Sequence, residues 1–231
     1  TGRNLKYYGL FATVAMLGIT LAGSLKQLAL LGAFLVGETV LMKLHLWFIT
    51  THGNKNAWER RAAVVLALLP LILVKVTGLF HFPSLGFIGV SYLTFRAVQV
   101  IVEISDKLIK SQSVLDHLYF VAFFPTVSSG PIDRSRRFLQ DAERRFKPGE
   151  YLAILGRGLW LIVLGAFYKF ALATLFAGWL RDLPDSRWGT VRYMYYYGFN
   201  LFFDFAGYSL MAVGASYLFG ILSLIHISEP T

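Results

Sequence analysis

The sequence contains no cysteine among its 231 residues. Disulfide bridges, thiolate zinc sites and cysteine nucleophiles are therefore excluded. Charged residues are also scarce, at 15% of the chain. An ordinary soluble domain carries roughly 25%. This chain has too little polar material to cover a surface that faces water.

Recognisable catalytic and metal-binding patterns are missing as well. The five histidines are scattered and no pair has the spacing of metal ligands, so we predict no metal site. Phosphate-binding loops, the GxSxG elbow and the HExxH helix are absent from the sequence. No catalytic residue is assigned from motifs.

Apolar residues make up 56% of the chain and the mean hydropathy is +0.57. These values predict an all-α membrane protein, a multi-pass helical bundle in the cell membrane. The formal net charge of +9 lies in the gaps between apolar runs. There it indicates orientation and contact with membrane lipid rather than nucleic acid. Six runs are predicted to span the membrane: 7–25, 28–49, 62–82, 85–102, 151–180 and 193–221.

The loop charges predict the orientation of these spans. Positive clusters at 52–61 and 134–147 favour the cytoplasmic side, which also places the amino terminus inside and the loops at 24–27 and 181–192 outside. The run 114–127 is too short for a span, and a re-entrant dip there keeps the basic loop 128–150 inside. Within that loop helical spacing predicts a cytoplasmic interfacial helix, which Pro148 ends, with an apolar side of Phe138, Leu139, Ala142 and Phe146.

A polar stripe interrupts the fourth span. Tyr92, Arg96, Gln99 and Glu103 stand at i, i+4, i+7 and i+11, which places them on one side of a helix. A charge inside a span costs about 2.5–3.5 kcal/mol and so needs a partner or a wet cavity. The stripe is either a hydrogen-bonded contact between helices or the lining of a substrate path.

The last span carries a second polar group. Asp204 has Gly207 and Tyr208 at i+3 and i+4, with Ser209 next in sequence. We expect the Asp204 carboxylate to pair with Arg96 or Lys169, either to hold helices together or to serve a site.

A third candidate is the segment SSGPIDR, residues 128–134. Gly130 and Pro131 cannot continue a helix, so backbone groups stay open near Ser129 and Arg134. Non-helical backbone at membrane depth is tolerated only within protein or beside water. The segment is either the wall of a substrate path or a plain surface loop.

These segments resemble the membrane-bound O-acyltransferase family, and within it the branch of teichoic acid D-alanylation in Gram-positive bacteria. The likeness covers 62–221 and is carried by LPLILVKV (69–76), GVSYLTFRAVQ (89–99), FFPTVSSGPIDRSRRF (123–138) and YGFNLFFDFAGYSLMAVGASYLFGI (197–221).

The resemblance implies a multi-helix fold around a central funnel and an acyl transfer through the membrane. The donor would be the phosphopantetheine thioester of a cytoplasmic D-alanyl carrier protein, and the acceptor a hydroxyl of lipoteichoic acid outside, with no bound cofactor. The resemblance also implies a buried histidine as general base, located beyond the position of Gly220.

The family pattern stops at Ile221, and the chain begins without Met. We therefore expect 1–221 to be the amino-terminal part of a multi-pass acyltransferase domain, a fragment of a larger fold that is inactive alone. Residues 222–231 do not continue the pattern and are expected to be a non-native tail, so His226 does not take the catalytic role.

Two other functions are open to a chain of this kind. One is a solute or ion transporter in which Arg96, Lys169 and Asp204 line the path. Many transporters have a matching pair of broken helices in their two halves, and the absence of such a pair from this sequence argues against a transporter. The other is a non-catalytic membrane scaffold.

Overall fold

The computed structural model describes residues 3–53, 57–79, 86–87, 89–128, 130–180 and 186–222. Nearly all of them are helical. The helices are α1 (Lys6–Leu21), α2 (Leu25–His52), α3 (Ala57–Leu79), α4 (Val90–Ser105), α5 (Val114–Ala122), α6 (Ser135–Glu143), α7 (Pro148–Ala166), α8 (Ala173–Trp179) and α9 (Arg187–Leu218). A 3₁₀ turn (Phe124–Thr126) follows α5, and a π-helical segment (Phe167–Leu172) joins α7 to α8.

The chain is a multi-pass membrane protein. Three helices are long and apolar enough to cross a membrane: α2, the continuous helix Pro148–Trp179, and α9. Each of the six predicted spans overlaps a helix, namely α1, α2, α3, α4, the continuous helix Pro148–Trp179 or α9, because an apolar run in a membrane satisfies its backbone only as a helix. The predicted all-α class is confirmed.

Several predicted boundaries were wrong. Helix α1 ends at Leu21, since Ser24 caps α2 by accepting a hydrogen bond from the Gln27 N–H. Similarly, α9 begins at Arg187, inside the predicted outer loop, because the Ser186 hydroxyl accepts from the Gly189 N–H. The turn around residue 83 and part of that outer loop, 181–185, lie outside the described residues.

Helices α7 and α9 form an antiparallel pair through two glycine contacts. A Cβ on Gly158 would lie 2.8 Å from the Gly214 carbonyl oxygen, and one on Gly165 would lie 2.5 Å from that of Gly207. The two contacts are seven residues apart on each helix, which returns them to the same side. Small residues of this kind let two membrane helices approach at backbone distance.

The chain from α5 to α6 follows α1 and α4. At its start Asp116 forms an ion pair with Lys6 at 2.5 Å. It then reaches Arg96 near the middle of α4 and returns to Glu103, seven residues or about 10 Å further along α4. A re-entrant dip would follow this path, and the dip itself stays a prediction.

Helix α6 packs its apolar side against protein. Phe138 is 2% exposed and its ring lies 5.0 Å from those of Tyr119 and Phe123, measured between centroids. The predicted helix was too long. Phe146 lies in a two-residue strand, Arg145–Phe146, which pairs with Arg3–Asn4, and Pro148 begins α7 rather than ending α6. A cross-strand partner distant in sequence decided the conformation of Phe146. Contact of α6 with the membrane surface stays a prediction.

Segments that we predict to be cytoplasmic lie at one end of the bundle. Arg60 forms a 2.8 Å ion pair with Asp106, the Tyr151 hydroxyl donates to the Leu218 carbonyl at 2.9 Å, and Leu222 N–H donates to Asp141. These contacts join the predicted inner loops, the inner ends of the last two spans and the first residue of the predicted tail. The rest of the predicted tail, 223–231, including His226, lies outside the described residues.

Candidate functional site

Arg96 holds the carboxyl end of α5. Its guanidinium Nη1 donates to the carbonyls of Phe120 and Val121 at 3.1 and 3.2 Å, and Nη2 donates to the Thr126 carbonyl at 3.2 Å and to the Thr126 hydroxyl. The last carbonyls of a helix have no partner within the helix and carry partial negative charge. A buried arginine, 2% exposed, is therefore stabilised here by carbonyl groups.

The other members of the predicted stripe have different surroundings. The buried Glu103 accepts a 2.5 Å hydrogen bond from Ser135, the first residue of α6. Gln99 Oε1 is buried and has no hydrogen-bond partner among the described residues, and Tyr92 is half-buried. Arg96 and Glu103 thus link α4 to the segment that follows α5, as a hydrogen-bonded contact between helices would.

The segment 128–134 packs against α9. The Ser128 and Tyr208 hydroxyls are 2.7 Å apart. Gly130 has a φ of 123°, and its Cβ would lie 3.4 Å from that of Ala212 on α9. A glycine suits this position because other residues rarely adopt such a φ.

The remaining predicted residues of this segment make fewer contacts with the rest of the protein. Pro131 is half-buried and Arg134 is exposed, and the Arg134 N–H donates to the Asp133 carboxylate at 2.7 Å. Ser129 lies outside the described residues. Ser209 is half-buried on α9 beside Tyr208.

Asp204 forms an ion pair with Lys169, so of the two predicted partners the structure selects the lysine. Lys169 lies in the π-helical segment, and Asn200, one turn before Asp204 on α9, donates to the Ala173 carbonyl at the end of that segment at 2.7 Å. π-Helical turns are rare and occur often at functional sites. The two side chains are 29% and 51% exposed, so this pair is at the surface of the described bundle.

Together these contacts form a polar strip from α4 to the π-helical segment. Arg96 binds Thr126, Ser128 follows two residues later and contacts Tyr208, and Asp204 lies one turn from Tyr208 on α9 and contacts Lys169. The strip offers hydroxyls and charges that bind polar groups, but no histidine is part of it. Among the described residues, no three His, Asp or Glu side chains lie together as metal ligands would.

Sequence reasoning missed Thr126, and it included Ser128 in the candidate segment 128–134 without assigning that hydroxyl a role; both residues complete the strip. Neither has a charge that would mark it as costly in a membrane. The only signal was their position beside Pro125 and Gly130, which break the helix. It also missed a buried hydrogen bond of 2.9 Å between His45 Nε2 and the Ser105 hydroxyl. That contact joins residues 60 positions apart, which no local pattern reports.

No family model matches the chain. Three proteins named teichoic acid D-alanyltransferase are similar to it. The one from Bacillus subtilis is 35% identical over 99% of the chain, that from Lacticaseibacillus rhamnosus 38% over 97%, and that from Streptococcus thermophilus 43% over 76%. The chain spans 61%, 59% and 45% of the length of these relatives. The resemblance predicted from the motifs is thus confirmed.

Proposed function

Because the chain is a homologue of the teichoic acid D-alanyltransferases, we propose that it supplies membrane helices of an enzyme that transfers D-alanine to teichoic acid. The observation that carries this proposal is the identity of 35% and 38% over nearly the whole chain to two proteins of that name. A transporter or scaffold function has no comparable support.

The proposed donor is the phosphopantetheine thioester of a D-alanyl carrier protein on the cytoplasmic side, and the proposed acceptor is a hydroxyl of lipoteichoic acid outside. The acceptor oxygen attacks the D-alanyl carbonyl carbon, the C–O bond forms, the C–S bond breaks and the carrier thiol leaves. A base of near-neutral pKa takes the hydroxyl proton. We assign that base to none of the residues described above.

The polar strip gives these helices a role in such an enzyme. An ion pair as exposed as Lys169–Asp204 does not face lipid, because contact of charged groups with hydrocarbon is costly even when they are paired. We infer that this side of α9 faces either further protein or a wet cavity through which a polar acceptor passes. Arg96, in turn, is a positioning residue, since it fixes the non-helical backbone that carries Ser128.

A chimera tests the proposal. Residues 1–221 replace the corresponding part of the Bacillus subtilis relative, and the chimera is expressed in a strain that lacks its own transferase. We expect D-alanine esters on lipoteichoic acid, measured after mild alkaline release, at a level well above that of the empty strain. The intact relative is the positive control. Absence of esters from a chimera that is present in the membrane at the level of the relative would reject the assignment.

A further inference from the structure

An open cavity of about 1020 Å³ lies at the end of the bundle that we predict to be cytoplasmic. Its walls are the last turns of α2, the connection 108–113, the start of α5, and α6. We call it the basal groove. The polar strip uses none of the residues that line it. The groove is therefore separate from the site described above.

The charges of the basal groove are unbalanced. Its two acids, Asp116 and Glu143, both lie against Lys6, whose ammonium is 2.5 and 3.4 Å from their carboxylates. Three further cations line the groove. Lys43 Nζ donates to the Gln112 backbone carbonyl at 2.7 Å, and neither Lys110 nor Arg136 has an ion-pair or hydrogen-bond partner among the described residues. With Lys6, four cations stand against two acids, so two positive charges are in excess and available to a ligand.

Buried donors without partners point to the same ligand chemistry. Gln112 is 6% exposed and its side-chain amide has no hydrogen-bond partner among the residues that the structure describes; the buried Arg136 Nε–H has none either. Buried polar groups are nearly always paired, so each such donor needs an explanation. The amino end of α5, capped by Ser113, adds the positive end of a helix dipole to the groove. This combination suits a phosphate ester.

The rim of the groove indicates where that phosphate comes from. Trp47 at the end of α2 is 61% exposed and Leu108 is 46% exposed. Tryptophan is typical of the membrane interface, and apolar side chains beside a cationic pocket suit a ligand that has both an anionic head and acyl chains. We propose that the basal groove binds the phosphate of an anionic phospholipid from the leaflet at this end of the bundle, through Lys110, Arg136 and Gln112.

The test measures retention of phosphatidylglycerol by the detergent-purified chain, using native mass spectrometry. The double variant Lys110→Gln/Arg136→Gln removes both free cations. Because a basic residue near a lipid surface contributes a factor of about five in affinity, we expect an affinity loss of about 25-fold. The matched control is Lys107→Gln/Arg137→Gln, which removes one lysine from the chain between α4 and α5 and one arginine from α6, both outside the groove lining. It is expected to bind like the unmodified chain.

The possible results separate the alternatives. An equal loss in both double variants would show a general charge effect, and no loss in either would show that the groove holds no lipid; both overturn the proposal. Displacement of the lipid by millimolar inorganic phosphate would identify the free anion as the ligand and overturn the lipid assignment. If the double variant fails to fold, the exposed Lys110→Gln alone is expected to lose about fivefold.

Discussion

At the scale of single residues, Arg96 is stabilised by the carbonyls that α5 cannot pair. Replacement by leucine removes the charge and leaves the carbonyls of Phe120, Val121 and Thr126 buried without these donors. Each buried acceptor that loses its partner costs about 1–3 kcal/mol. We therefore expect Arg96→Leu to lower the free energy of unfolding by about 3 kcal/mol or more, measured by thermal unfolding in detergent.

Two further variants separate the geometry of Arg96 from its charge. Arg96→Lys keeps the charge but loses the planar fork that serves several carbonyls, and should be intermediate. Arg137 is exposed on α6, so the Arg137→Leu variant should unfold at the temperature of the unmodified chain. An Arg96→Leu chain as stable as Arg137→Leu would show that the carbonyl contacts contribute nothing.

At the scale of helices, the glycines of the α7–α9 pair should respond to alanine with opposite signs. A Cβ on Gly207 would lie 2.6 Å from the Gly165 carbonyl oxygen, whereas one on Gly198, also in α9, meets nothing within 4 Å. Gly207→Ala must push the helices apart and should destabilise by about 1–3 kcal/mol. Gly198→Ala should instead stabilise by about 0.5–1 kcal/mol, because alanine favours the helix. Thermal unfolding of both variants measures the difference, and equal signs would contradict the close packing.

Helices were predictable from the sequence where a local property, a long apolar run, is enough to specify the helix. The long apolar runs around α2, α7 and α9 were placed correctly because backbone in hydrocarbon must pair with itself. Partners distant in sequence were not predictable. Phe146 adopts a strand conformation because it pairs with Arg3 of a distant segment. Asp204 pairs with Lys169 and not with Arg96 because of the way the helices pack.

At the scale of the whole molecule, ion pairs join separate segments at the end of the bundle that is predicted to be cytoplasmic. Lys6 of α1 pairs with Asp116 of α5, and Arg60 of α3 pairs with Asp106 after α4. The positive-inside tendency alone predicts which end this is. Four crossings precede α7 in the predicted arrangement, so a full crossing by 114–127 would make five and would move the start of α7 to the other side of the membrane.

Cysteine labelling tests both the orientation and the dip. The sequence contains no cysteine, so Gly23→Cys and Gly149→Cys each introduce a single thiol, at positions where an added Cβ meets nothing within 4 Å. Gly23 precedes α2 and is predicted outside, whereas Gly149 lies in the first turn of α7 and is predicted inside, three spans and one dip later. In intact cells, a membrane-impermeant maleimide should label Gly23→Cys alone, and Gly149→Cys should react only after permeabilisation. Labelling of both from outside would mean that 114–127 crosses fully, and the reverse pattern would mean that the loop charges do not orient this chain.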